Sequence, residues 1–194
     1  MMARALNVLV LVLLLTGWSQ AARAEQARDA LKASVDEVLA VLSNTKSGDP
    51  ARKEKLYAAV GKVFDPEELA KRTLASNWEA FSPDERQRFT KAFVKLLERT
   101  YLRRIEAYTD EKVVFMDESV LGEGRSEVST KIVTSSKEVP IVYRLIKKNE
   151  WKVYDVVIEG VSLVQNYRNQ FNQILAKENP SQLIGRVETM GSAS

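Results

Sequence analysis

The hydrophobic period of the chain changes twice, and this limits its fold more than any other feature. Up to about residue 108 the apolar side chains recur at helical spacing. Over residues 111–158 they fall into short β-branched and aromatic runs separated by turn signals, and then the helical spacing returns. Strands bunched between helical blocks, rather than alternating with them, predict an α+β fold built on an antiparallel sheet.

The helical blocks carry their own start and stop signals. Leu31, Val35, Val38, Leu39 and Leu42 share one face, and Ser47-Gly48-Asp49-Pro50 ends that helix. Leu56, Val60 and Val63 mark a second helix. Asp65-Pro66-Glu67-Glu68 and Ser82-Pro83-Asp84-Glu85 share one start signal: a capping side chain, proline at the first helical position, and acids on the positive end of the helix dipole. Glu85 is spaced to complete a capping box with Ser82. The longest helix follows, with a broad band of Phe89, Phe93, Leu96, Leu97, Tyr101, Ile105 and Tyr108 that implies burial against more than one neighbour. A late helix carries Leu163, Val164, Tyr167, Phe171, Ile174 and Leu175. Asn179-Pro180-Ser181 ends it, and a short last helix runs to about Thr189.

Four strands are expected, at residues 112–121, 125–134, 138–147 and 150–158, with turns at Gly122-Glu123-Gly124 and Lys148-Asn149. Closing the second hairpin on two residues sets Lys147 opposite Glu150. Directly opposed residues share a face. One face then holds Val139, Ile141, Tyr143 and Leu145 with Tyr154, Val156 and Ile158. The other holds Val142 and Ile146 with Trp151, Val153 and Val157. A sheet apolar on both faces is either covered by helices on both, or lines a cavity with one. The same pairing puts Arg144 diagonal to Asp155, as a structural ion pair or as a phosphate contact at a cavity mouth.

Composition removes most chemistries. The chain has no cysteine and no histidine, so disulfides, thiolate nucleophiles, zinc-thiolate sites and a Ser-His-Asp triad are all excluded. Gly160-Val161-Ser162 begins like a nucleophile elbow, but Val164 stands where the second glycine is required. The neighbouring acids Glu67/Glu68 and Asp84/Glu85 point about 100° apart on a helix and do not converge as an acid–base pair. No enzyme is expected, and no metal. Residues 1–24 read as a cleaved export signal, with Arg4, an apolar run from Leu6 to Leu15, and Ala22-Arg23-Ala24 as the cleavage site. Its removal leaves 27 basic against 26 acidic residues, too balanced for a nucleic-acid surface. One domain is expected over 25–190, with a frayed tail at 191–194.

The residues after the second hairpin carry a long and specific pattern. Trp151-Lys152-Val153-Tyr154-Asp155-Val156 and Gly160-Val161-Ser162-Leu163-Val164, followed by Asn166-Tyr167-Arg168 and Gln170-Phe171, resemble the signature of the MlaC-type periplasmic phospholipid-binding proteins, also called toluene-tolerance proteins. Phe64-Asp65, Leu69-Ala70, Trp78, Ser82-Pro83-Asp84-Glu85, Phe89, Phe93-Val94-Lys95-Leu96-Leu97 and Val139-Pro140-Ile141 continue the likeness, which spans about residues 31–184. One stretch departs: the family often has glycine before the Trp segment, where this chain reads Leu74-Ala75-Ser76-Asn77-Trp78.

The resemblance implies a twisted antiparallel sheet of four or slightly more strands, wrapped by six to seven helices, with a deep apolar cavity between sheet and helices. It implies a soluble monomeric periplasmic carrier with no cofactor, whose cargo is diacyl phospholipid. The expected partners are an inner-membrane MCE-domain ABC transporter complex and an outer-membrane lipoprotein–porin complex, between which lipid exchange would maintain outer-membrane asymmetry. The candidate cavity wall is Trp78, Phe89, Phe93, Leu97 and Tyr101, then Val128, Ile132, Val142, Tyr143, Val153 and Val156, then Tyr167 and Phe171. Arg144 is the candidate head-group contact. The alternative is a non-carrier adaptor whose fold is filled by its own side chains.

Overall fold

The computed structural model describes residues 26–45, 49–107 and 112–190. The expected leader at 1–24, Ser47-Gly48 of the first helix stop, Tyr108 and the tail at 191–194 lie outside the described residues.

Helices α1 (Ala27–Asn44), α2 (Pro50–Val63) and α3 (Pro66–Leu74) lead through a 3-10 turn at Ala75–Ala80 into α4 (Pro83–Glu106). Strands β1 (Lys112–Gly122), β2 (Arg125–Val133), β3 (Glu138–Lys147), β4 (Trp151–Ile158) and the two-residue β5 (Val161–Ser162) follow. Helices α5 (Leu163–Leu175) and α6 (Pro180–Met190) close the chain. The sheet is an antiparallel meander in the order β1-β2-β3-β4-β5. This is the expected α+β architecture, with one short strand added.

The helix starts form as their sequences dictate. The Asp49 carboxylate accepts the Ala51 N–H at 2.8 Å, and the Asp65 carboxylate accepts the Glu68 N–H at 2.9 Å. At α4 the capping box is complete: Ser82 Oγ accepts the Glu85 N–H at 3.3 Å, and Glu85 accepts the Ser82 N–H at 3.0 Å. Each cap satisfies a backbone donor that the first turn leaves free, worth roughly 1 kcal/mol.

The second hairpin corrects the expected register. Lys147 pairs with Trp151, so the loop has three residues rather than two. A two-residue hairpin turn needs positive φ, and neither Lys148 nor Asn149 adopts it. Beyond the loop, Leu145 faces Val153 while Arg144 faces Asp155, which leaves a bulge in β4. Before the bulge Trp151 and Val153 lie on the face of Leu145; after it Val156 and Ile158 lie on that same face. Tyr154 and Asp155 are therefore both left for the opposite face. One inserted residue unites Trp151, Val153, Val156 and Ile158, which strict alternation had divided.

The buried side chains form three clusters. The largest joins α3, the 3-10 turn, α4, α5 and α6. The second lies between α1, the end of α2 and the inner face of the sheet. A small third cluster, Leu42, Leu56 and Leu102, fastens α1 and α2 to the end of α4. Among the described residues no helix is long and apolar enough to cross a membrane.

Candidate functional site

The candidate wall residues divide between the two large clusters. Trp78, Phe89, Phe93, Tyr167 and Phe171 are buried in the helical one, with Leu97 and Tyr101 packed at its margin. There they meet one another. Phe89 lies 5.6 Å from Phe93, 5.6 Å from Phe171 and 5.8 Å from Phe81 between ring centroids. Phe93 lies 5.1 Å from Tyr167 and 5.5 Å from Phe171. Most of these pairs are edge-to-face, the arrangement that the ring quadrupole favours. Burial raises the pKa of the Tyr101 hydroxyl, and Tyr167 beside it adds to the shift.

Val128, Val153 and Val156 are buried in the sheet cluster, with Ile132 and Tyr143 half-buried against it. Val142 is not among them. It pairs with Val157 and Ser129 on the outer face, because the observed register keeps Val142 on the side opposite Tyr143. The inner face is covered by Ala27, Leu31 and Val35 of α1 together with Val63, Phe64 and Leu163. Cover thins toward β1: Val120, opposite Ser126 on this face, is 76% exposed.

Arg144 also lies on the outer face, directly opposite Asp155 rather than diagonal to it. Its guanidinium donates to Glu127 at 2.7 Å and to Asp155 at 3.1 Å. Of the two readings, the ion pair is the one observed. Asp155 is 2% exposed and has further work. It accepts the Ser162 hydroxyl at 2.7 Å and the Val164 N–H at 3.0 Å, so it caps α5 from within the sheet. Tyr154, sent to the same face by the bulge, lies under the Arg72 guanidinium of α3 at 4.0 Å. Arg168 donates to the Arg72 carbonyl at 2.6 and 3.1 Å, tying α5 to the end of α3. The polar residues of the C-terminal pattern thus join sheet to helices.

Phe64 was not anticipated, and it packs against both large clusters. Its sequence signal is a hydrophobic staple: it precedes the cap Asp65 and stands five residues before Leu69, the pairing of N′ with N4. Phe64 also lines an outward pocket of about 380 Å³ formed by residues 64–66, the turn at 148–150 and Lys152. The β3–β4 hairpin grips this junction on both sides. The Asp65 N–H donates to the Val153 carbonyl at 3.0 Å. Lys148 Nζ meets Asp65 at 2.5 Å, and Lys152 Nζ donates to the Lys62 carbonyl at 2.7 Å. Burial pushes the Asp65 carboxyl up, but the Glu68 N–H and the Lys148 ammonium outweigh it and hold its pKa below the usual range. Its hydrogen bond to Asp65 raises Lys148 in turn.

Among the described residues no three acids converge as a metal site would require. The geometry offers apolar surface, ion-paired seams and a pocket.

The fold is shared with a known protein. A phospholipid-binding protein from Ralstonia solanacearum, solved in complex with a phospholipid, superposes with a TM-score of 0.77 over 87% of this chain and 98% of its own, at 24% identity, which establishes the fold. The intermembrane phospholipid transport system binding protein MlaC of Haemophilus influenzae is 28% identical over 127 residues, 62% of this chain. That match spans 59% of the Haemophilus protein's length. The toluene tolerance protein ttg2D of Pseudomonas putida is 25% identical over 156 residues, covering 76% of this chain and 72% of the relative. The family model of the MlaC protein matches residues 32–189, nearly everything beyond the expected leader, and the chain belongs to the MlaC family.

Proposed function

We propose that the protein carries diacyl phospholipid through the periplasm, with the acyl chains held between α1 and the inner face of the sheet. The observation that carries this reading is the contrast in how the two clusters are filled. The helical cluster is closed ring against ring, whereas the sheet face has only one long helix across it and keeps Ile132, Val139, Tyr143, Trp151 and Ile158 half-buried. Exchanging the apolar stripe of α1 for hydrocarbon replaces like with like. Membership of the MlaC family and the phospholipid named for the Ralstonia structure support the same cargo.

The physical task is one of partition. Two acyl chains expose about 30 methylenes, each costing roughly 0.8 kcal/mol in water, so an uncovered lipid faces on the order of 20 kcal/mol. A sheath of Val, Ile, Leu and aromatic side chains removes most of that cost without directional contacts, and so tolerates chains of different length. No covalent bond is made or broken, and the chain is not an enzyme. In this reading the export signal delivers the carrier to the periplasm. Lipid passes between an inner-membrane MCE/ABC complex and an outer-membrane lipoprotein–porin complex, whose contact must shift the balance between retention and release.

Native mass spectrometry of the protein purified from the periplasm tests the cargo. Diacyl phospholipid bound to the folded protein is the expected result. Protein that stays lipid-free after incubation with phospholipid vesicles would refute the carrier and favour an adaptor with a filled interior.

A further inference from the structure

We infer that the α2–α3 junction is the portal through which acyl chains reach the sheet face, with Phe64 as its gate and the β3–β4 turn as the latch. The inference rests on the carrier reading and adds the route to it.

Four observations converge on this junction. Phe64 is the one apolar side chain common to both large clusters among the described residues, and it is only half-buried because its outer side lines the pocket. The Phe64 backbone runs beside Val153 of β4, 0% exposed, through an isolated parallel bridge. Here the Phe64 ring is the apolar side chain that links the outward pocket to the sheet cluster. Phe64 follows the end of α2 and precedes the cap of α3, so it sits in extended backbone between two helices, where a rotation costs no helical hydrogen bond.

The ring packs against both clusters, and the backbone on either side of it is pinned by outward-facing polar contacts. Lys148 grips Asp65 from one side, and Lys152 grips the Lys62 carbonyl from the other. Lys148 is 48% exposed, so water and partner charges reach the latch. An ion pair in that setting holds weakly and yields to competing charge. A latch of this kind suits a carrier that stays closed in transit and opens against a charged docking surface.

A gate differs from a wall in its kinetic signature. A wall residue changes how much lipid is bound at equilibrium, whereas a gate changes uptake and release by the same factor and leaves occupancy alone. Transfer of a fluorescent phosphatidylglycerol from donor vesicles to the mature protein, followed in both directions, reads the two apart. Phe64→Ala and the gentler Phe64→Leu are expected to speed both rates, by on the order of tenfold for Ala, and Phe64→Trp to slow both. Lys148→Gln, which releases the latch and leaves the ring, is expected to speed both by about threefold. Rates within about twofold of wild type for Phe64→Leu, Phe64→Trp and Lys148→Gln would overturn the portal while leaving the carrier intact. Lower occupancy with an unchanged uptake rate would make Phe64 part of the wall and overturn the gate. Wild-type protein that takes up no lipid would bring down the carrier reading, and the portal with it.

Discussion

The helical cluster and the sheet cluster are both apolar, yet they are built on different plans. In the first, rings from the 3-10 approach, α4 and α5 interlock at centroid distances of 5.1–5.8 Å, and Phe89, Phe93 and Phe171 are almost wholly buried. In the second, mainly aliphatic side chains of the sheet meet α1, the end of α2 and Leu163, and several of them stay half-buried. Interlocked rings define one packing and resist change, because each void or overlap forfeits many small contacts. On the proposed function, the less closed sheet cluster is the one that admits a substitute of similar polarity. The lesson is that two apolar clusters in one chain can differ in residue type and in closure, and on the proposed function only the less closed one gives way to a guest.

Substitutions in the two regions should diverge accordingly. The largest effect is expected for Phe89→Ala, which empties the centre of the ring network and should lower unfolding stability by about 4 kcal/mol. Urea denaturation measures it. A loss below about 1 kcal/mol would mean that the helical cluster is not closed, and would erase the contrast. Asp155→Ala strikes the joint between the regions. It leaves the α5 N-terminus, the Ser162 hydroxyl and Arg144 without their shared acceptor, for a loss of roughly 3 kcal/mol.

Ile132→Trp adds bulk on the sheet face. The expected cost in stability is only about 1 kcal/mol, at the low end for overpacking, accompanied by loss of co-purifying lipid in mass spectra. A costly change that leaves the lipid in place would show this face to be ordinary core. The smallest effect has the opposite sign. Ala75 sits at φ +50° and ψ −123°, a conformation costly for any side chain. Ala75→Gly should raise the melting temperature slightly, for a gain of about 0.5–1 kcal/mol.

Much of this fold was legible because it is written locally. Asp65-Pro66 and Ser82-Pro83-Asp84-Glu85 start helices through contacts within four residues of themselves, and Gly122-Glu123-Gly124 turns a hairpin where two glycines take positive φ. The register of β3 on β4 was not legible, since it depends on demands from elsewhere. Tyr154 must reach Arg72 and Asp155 must reach the start of α5, and both must leave the same face. The role of the aromatic band was not legible either. Periodicity reports that Phe89, Phe93, Tyr167 and Phe171 are buried, but not whether the space before them holds a guest or one another. Phe64 left a staple pattern and a place in the family likeness, and neither says that the ring touches two clusters and a pocket.

The extra residue in β4 has a consequence for the molecule's history. Pairing β4 without the bulge, with all its residues kept, would send either Trp151 and Val153 or Val156 and Ile158 to the wrong side of the sheet. No single replacement elsewhere repairs such a shift. Removing Tyr154 keeps all four on one face and costs the ring beneath Arg72, whereas removing Lys152 or Val157 scatters them, so the bulge is where descendants of this chain can shorten this strand.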